Sequence, residues 1–409
     1  MSSELHLSTR ALHADRSHSG VDVTCPLHVS TTYEYGQLLN DQRAVQQGYL
    51  DSLPEPSPGA QAQTTASPHI YSRQSIESRE RLEVVLGAIE GPEAHAVTYA
   101  SGLAAIYAAF LFYQPRRVFI SKEGYHGTHS SLQLYARGRD HVQIIHLEDA
   151  PSEFQPGDMI WLESPQNPRG EIYDVEYYVK ARPKGAIVAV DATFSPPPLV
   201  FNLKHGVDVV MHSTTKFLGG HSDLLGGSLV VPSLETAQKL RADRTALGSV
   251  MGNMEAWLLL RSLRSLNVRV LQQSRSATAI AQWLNSRLDG TNNNPEDDCL
   301  SIVEKVWHGS IPGHPGHEVA KRLGMGHSGV FSVELTNASF ARVLPRHLRL
   351  FVNATSLGGV ESLIEWRAVQ DPQISPKLCR VSVGLEDVED LKHDLRQAFG
   401  AILREAASS

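Results

Sequence analysis

The chain has 409 residues, too many for one small domain. Its 41% hydrophobic and 20% charged residues describe a soluble globular protein with large cores. A formal net charge of −7 leaves no basic footprint for nucleic acid, and no apolar run reaches the length of about 18 residues that a membrane-spanning helix needs. Cys25, Cys299 and Cys379 are odd in number and far apart. They read as free thiols in a reducing compartment, not as a disulfide framework or a zinc site. The start, MSSELHLSTRALHADRS, has no apolar h-region, so the expected location is cytoplasmic.

In chain order, residues 1–36 read as short β-like pieces and turns, an arm lying on another surface. Residues 37–69 are Gln-rich, then Pro/Ser-rich (SLPEPSPGAQAQTTASP), and read as a flexible surface insert. Order returns at Tyr71-Ser72-Arg73. The spacing of Leu82, Val85, Leu86 and Ile89 predicts a helix from about Ser78, stopped by Gly91. A strand over Ala94–Tyr99 then leads through Ser101-Gly102-Leu103 into a helix over Ala104–Tyr113. A helix start behind a strand offers free N–H groups to an anion, and Ser101 adds a hydroxyl. An ordinary N-cap serine is the commoner role.

The β/α alternation continues through buried strands at Val118–Ile120, Val142–His146, Met159–Leu162 and Ile187–Val190. Polar residues follow most of them, among them Glu123, Glu163 and Asp191. In a parallel sheet the ligand site lies beyond the carboxyl ends of the strands, so Glu163, Asn167, Asp191, Ser213 and Lys216 are expected to share one crevice. The stretch VDVVMHSTTKFLGGHSDLLGGSLV, from Val207 to Val230, concentrates this chemistry. A lysine just past a buried strand, between hydroxyls and paired glycines, can form a Schiff base with an aldehyde while Ser213 and Thr215 bind a phosphate. A surface turn with a salt-bridging lysine is the plain alternative. Asp191 can pair with a protonated ring nitrogen or simply cap a helix. Tyr125 can stack on a flat cofactor and exchange a proton, or be a packing residue. Further on, Met251–Arg269 reads as one long helix continuing through 270–288. After the TNNNPEDD loop come strands at Gly329–Leu335, Leu348–Asn353 and Arg380–Gly384 with helices on one side, and a final helix over Val388–Glu405.

These pieces together resemble the Cys/Met-metabolism family of pyridoxal-phosphate (PLP) enzymes. The ordered motifs are YSR at 71, EG at 90, SGLAAI at 101, YHGT at 125, ESPQNP at 163, VDATF at 190, HSTTKFLGGHSD at 212, SLGGVESLIE at 356 and RVSVGLED at 380. They span most of the chain, from Tyr71 to Asp387. The resemblance implies an α/β protein of the fold-type-I PLP-dependent transferase class: a large domain with a mostly parallel sheet and a smaller α+β C-terminal domain. The expected division is an arm with its insert over 1–70, a PLP-binding domain over 71–265 and a small domain over 266–409.

The family further implies Lys216 as the Schiff-base lysine and proton shuttle, Asp191 as the partner of the pyridinium, and Tyr125 as the residue stacked on the ring. Ser101, Gly102, Leu103, Ser213 and Thr215 resemble the phosphate cup, and Tyr71 and Arg73 the pair reaching it from a neighbouring subunit of a homotetramer. Asn167 would meet the ring hydroxyl. Ser356 and Arg380 resemble the clamp on the amino-acid substrate's α-carboxylate. The expected reaction is γ-substitution on an O-activated homoserine, with C–S elimination by a cystathionine or methionine lyase as the alternative.

Three departures stand out. Gln74–Ser78 replaces an Asn-Pro-Thr-like element, His126 stands where many members have glycine, and Thr355 stands where cystathionine-handling members often carry glutamate. Thr355 offers no charge to a distal ammonium, which argues against a dedicated cystathionine enzyme. Trp366-Arg367 and the triple proline at 196–198 are also unusual. Ser213–Lys216 satisfies the S-x-x-K pattern of some hydrolases, but S-D-N and K-T-G are absent. His314 and His317 sit among prolines and glycines that preclude a zincin-like helix face, so no metal is expected. A silent scaffold would be expected to lose Lys216 or Asp191, and both are present.

Overall fold

The computed structural model describes residues 5–18, 22–33, 69–149 and 153–408. Nearly all of the expected flexible insert lies outside the described residues.

The larger of two sheets has seven strands: β1 (His95–Tyr99), β2 (Arg117–Ile120), β3 (Gln143–His146), β4 (Asp158–Glu163), β5 (Ile187–Asp191), β6 (Val209–His212) and β7 (Gly227–Val231). Their spatial order is β1-β7-β6-β5-β4-β2-β3. The pairs from β3 through β6 are parallel, and β7 runs antiparallel to both neighbours. Runs such as IVAVD and VVMH carry apolar side chains on successive residues because both faces of the sheet are covered.

Among the described residues of this half of the chain the α-helices are α1 (Leu7–His13), α2 (Glu77–Glu90), α3 (Gly102–Tyr113), α4 (His126–Ala136), α5 (Val175–Ala181), α6 (Leu234–Leu247) and α7 (Asn253–Leu263). One face packs Val188, Val190 and Ile160 against α2, α5 and α7. The other packs Ala189, Met159 and Val209 against α3, α4 and α6.

The arm departs from its expected β-like character, since Leu7–His13 is helical. Local pattern is weak there; tertiary anchoring decides. Asp15 accepts from Arg81 Nε at 2.9 Å and Arg264 Nη2 at 2.8 Å, and Arg264 also holds the Ala11 carbonyl at 2.6 Å. The long helix expected from Met251 is instead two, α7 and α8 (Leu266–Asn285), with a break at residues 264–265.

Buried Glu83 ties α2 to β1 and α6. It accepts from the Thr98 amide at 2.9 Å, the Thr98 hydroxyl at 2.8 Å, Arg241 Nε at 2.8 Å, and from Arg244. Burial opposes its ionisation, but Arg244 and Arg241 outweigh it and hold Glu83 down at about 2. Its stabilisation is therefore complete above the ordinary glutamate range and is lost as pH falls toward 2. Glu83→Ala strands Arg244 without a counter-charge and should cost about 3–5 kcal/mol, read as a lower urea midpoint.

Beyond α8 come α9 (His317–Arg322), α10 (Ala338–His347) and α11 (Val388–Ser408). The second sheet contains β8 (Val303–Trp307), β9 (Val330–Leu335), β10 (Val352–Asn353), β11 (Leu363–Trp366) and β12 (Leu378–Ser382), in the order β10-β11-β12-β9-β8. Strands β8 and β11 are additions to the sequence reading, and β10 is only two residues long. Phe331, Val333, Cys379 and Val381 face α8, α10 and α11. Strand alternation sends Ser332, Glu365 and Arg380 to the opposite face, where Ser332 Oγ donates to the Pro168 carbonyl at 2.7 Å. Helix α8 gives Leu266 and Val270 to the first core and Ala277, Ile280 and Leu284 to the second. No helix among the described residues is long and apolar enough to cross a membrane.

Candidate active site

The ends of β4, β5 and β6 meet at one sheet edge, where register pairs Glu163 with Asp191 and Asp191 with Met211. Asp191 is 6% exposed, and its Oδ1 accepts from the Thr193 amide at 3.0 Å and the Thr193 hydroxyl at 2.5 Å. Thr193 Oγ1 in turn accepts from the Ser213 amide at 2.9 Å, joining the aspartate to the turn that carries Lys216. Burial raises the Asp191 carboxyl, opposed by Thr193 and His212. Burial and Asp191 also raise Glu163, whose two oxygens accept the backbone N–H groups of Tyr125 (2.7 Å) and Asn167 (2.8 Å).

Lys216 sits in a turn fixed from several sides. Buried Arg269 donates to the carbonyls of Phe217 (2.9 Å) and Leu218 (3.4 Å). Gly220 has φ +69°, and a Cβ there would fall 2.0 Å from Arg269 Nη1, so the glycine is required. One helical turn along α8, Gln273 holds the carbonyls of Gly359 (2.6 Å) and Gly358 (3.4 Å) in the loop that follows Ser356.

Lys216 Nζ donates to Ser356 Oγ at 2.6 Å. Burial, aided by Arg380, lowers its amine to about 8, with Glu365 opposing. Ser356 takes φ +79°, an uncommon conformation for a side-chain-bearing residue and one found at functional sites. Its carbonyl accepts from Arg380 Nη2 at 2.9 Å, while Arg380 Nη1 donates to Asn167 Oδ1 at 3.1 Å. Arg380 and Glu365 stand directly opposite across β12 and β11, and Arg380 Nη2 also donates to Glu365 Oε2 at 2.9 Å. Burial lowers the Arg380 guanidinium to about 10, still cationic at neutral pH.

These groups open onto a cavity of about 460 Å³. It brings together Lys216, Asp191, Tyr125 and Asn167 with Ser101, Gly102 and Leu103 at the start of α3, with Ser213 and Thr215 in the turn after β6, and with Thr355, Ser356 and Arg380 from the second half of the chain. Tyr71 and Arg73 are not brought into it. Tyr71 is 41% exposed, and Arg73 lies over its ring and donates to the Thr245 carbonyl at 3.5 Å. Thr193, Arg367 and Gln370 line the cavity without having been singled out as site residues. Arg367 directly follows β11, at the first residue of a 3-10 turn over Arg367–Val369, and the unusual Trp366-Arg367 pair was the available signal. His314 and His317 bond to the carbonyls of Arg169 and Gly309. Among the described residues no group of three or more His, Cys, Asp or Glu side chains could hold a metal ion.

The donor set fits pyridoxal phosphate. A Cβ on Gly102 would meet Ser213 Oγ at 3.0 Å, so the missing side chain leaves a cradle at the helix start for an anion. A buried carboxylate and an amine of lowered basicity open onto the same cavity.

Sheet, cradle, carboxylate and lysine are together those of the fold-type-I class of PLP-dependent enzymes. The family model for Cys/Met metabolism PLP-dependent enzymes matches residues 8–400. The chain is 33% identical over 347 residues to a cystathionine β-lyase of Lactococcus lactis, covering 80% of this chain and 88% of that protein. It is 34% identical over 347 residues to a cystathionine γ-synthase of Mycobacterium tuberculosis, covering 81% and 86%. The solved structure of metB from Corynebacterium glutamicum superposes with a TM-score of 0.80 at 28% identity, covering 98% of this chain and 99% of that one. The chain belongs to the Cys/Met metabolism family of PLP-dependent enzymes and uses pyridoxal phosphate.

Proposed function

We propose that the enzyme carries out γ-substitution on an O-activated homoserine. The observation that supports this over C–S cleavage of cystathionine is Thr355 at the cavity wall. It provides no anion for a distal ammonium, and nearby Glu365 is already engaged by Arg380 and Arg367.

In this reading Ser101, Gly102, Leu103, Ser213 and Thr215 hold the phosphate. Tyr71 and Arg73, turned away from their own cavity, complete the cup of a neighbouring subunit in a homotetramer. Asp191 keeps the ring nitrogen protonated, Tyr125 stacks on the ring, and Asn167 presents its amide N–H groups to the ring oxygen because Arg380 occupies its Oδ1. When bound, PLP supplies the electron sink that acidifies the carbons beside the substrate amine. Arg380 and the Ser356 loop fix the α-carboxylate. Lys216 would accept the proton from Cα, release it, and then, neutral again, accept one from Cβ; the substituent on Cγ would leave as its anion, a nucleophile would take its place, and protons would return to Cβ and Cα.

The test is product analysis with O-acetylhomoserine, with and without cysteine, sulfide or carbon nucleophiles, beside cystathionine alone. Coupled product without keto acid is expected; keto acid plus ammonia in its place would make the enzyme a lyase. A further expectation concerns cofactor capture. A neutral amine is required, so PLP uptake by the apoprotein should accelerate as pH rises through about 8. Uptake half-maximal near the ordinary lysine value of 10.5 would contradict this.

A further inference from the structure

Arg367 is the wall residue that this reading leaves without a task. It is 5% exposed and lines the cavity beside Gln370 and Thr355. Its Nη1 donates to Glu365 Oε2 at 2.7 Å, the same oxygen that accepts from Arg380. Arg380 has two further acceptors, Asn167 Oδ1 and the Ser356 carbonyl. The Nε–H of Arg367, by contrast, has no acceptor among the described residues. One carboxylate thus serves two buried guanidiniums. A buried guanidinium with unmet N–H groups is costly, and its planar fork matches a carboxylate. The α-carboxylate of an amino acid answers Arg380 alone. A distal ammonium would meet a guanidinium that shares its one carboxylate with Arg380, whereas a distal carboxylate would meet a cation short of counter-charge at the cavity wall.

We propose that Arg367 is a second carboxylate subsite, so that one reacting molecule carries a carboxylate beyond the one Arg380 holds. The inference rests on the substitution reading for the identity of those molecules. The carboxylate belongs either to the acyl group of the activated homoserine or to the incoming nucleophile.

The test begins with binding. Holoenzyme is titrated with L-2-aminoadipate and with L-norleucine, equal in chain length and differing in a terminal carboxylate against a methyl, while the cofactor absorbance is followed. The wild type should prefer the diacid, Arg367→Met should cut that preference by roughly 10–100-fold, and Arg367→Lys should restore part of it. A wild type without the preference overturns the proposal. So does an Arg367→Met variant that weakens both ligands equally, which would make Arg367 a positioning residue for Arg380. Turnover then assigns the source. O-succinylhomoserine is compared with O-acetylhomoserine, and 3-mercaptopropionate with ethanethiol. The carboxylate-bearing member of one pair should show a KM raised by roughly 10–100-fold in Arg367→Met; no change in either pair overturns the proposal. Failure of the substitution reading shows separately, as keto acid without coupled product in the wild type while the diacid preference persists.

Discussion

Lys216→Ala should lower kcat by at least about 10⁴-fold and remove the yellow absorbance of covalently held cofactor. In the proposed reading the side chain has two jobs, tethering the aldehyde and moving protons at adjacent carbons. Its surroundings suit both: burial and Arg380 bring the amine down to about 8, within reach of neutral pH, and Ser356 Oγ holds it at 2.6 Å. Among the described residues no other lysine lines the cavity, so no neighbour there stands ready to replace it. A substitution at this position leaves the turn itself intact, since Arg269 grips backbone carbonyls and not the side chain. Loss of activity with an unchanged thermal melt is therefore the expected signature. Survival of the absorbance band would move the covalent link elsewhere.

Arg380→Ala should raise KM for the amino-acid substrate by roughly 10²–10³-fold while PLP remains bound. The guanidinium is buried, opens onto the cavity and is aimed by Asn167, Ser356 and Glu365. Its removal leaves Glu365 paired with Arg367, so the carboxylate is not stranded and the sheet should hold. The groups proposed to hold the phosphate, Ser101, Gly102 and Thr215, come from other elements, and their hydrogen bonds run to other partners. Equal loss of cofactor and substrate would refute the carboxylate-clamp role.

Where chemistry sits at a strand end, the sequence was informative. Asp191 closes IVAVD and Lys216 follows VVMH, and both runs are apolar because the sheet is covered on two sides. Ser101 shows the limit of such reading. Its hydroxyl caps the Ala104 amide at 3.1 Å, the commoner role, and still lines the cavity. The link from Asp191 through Thr193 to Ser213 depends on how two turns dock, which no spacing encodes. Glu365 and Arg380 meet through cross-strand register between β11 and β12, and β11 itself is too short to announce a period. The break between α7 and α8 is equally silent, since Arg264 and Ser265 are acceptable within a helix and the bend follows from packing. The Leu7–His13 helix owes its place to Arg264, some 250 residues away, which grips the Ala11 carbonyl.

Arg269 and Gln273 stand four residues apart on α8, one gripping the loop of Lys216 and the other the loop that follows Ser356. The helix therefore works as a ruler. The two loops are docked at marks about 6 Å apart along a rigid rod. The amine and the hydroxyl it touches keep their spacing even if the outer wall around Thr355 and Arg367 is rebuilt. On the proposed reading, a lineage could trade one nucleophile for another at that wall without recalibrating the proton-transfer step.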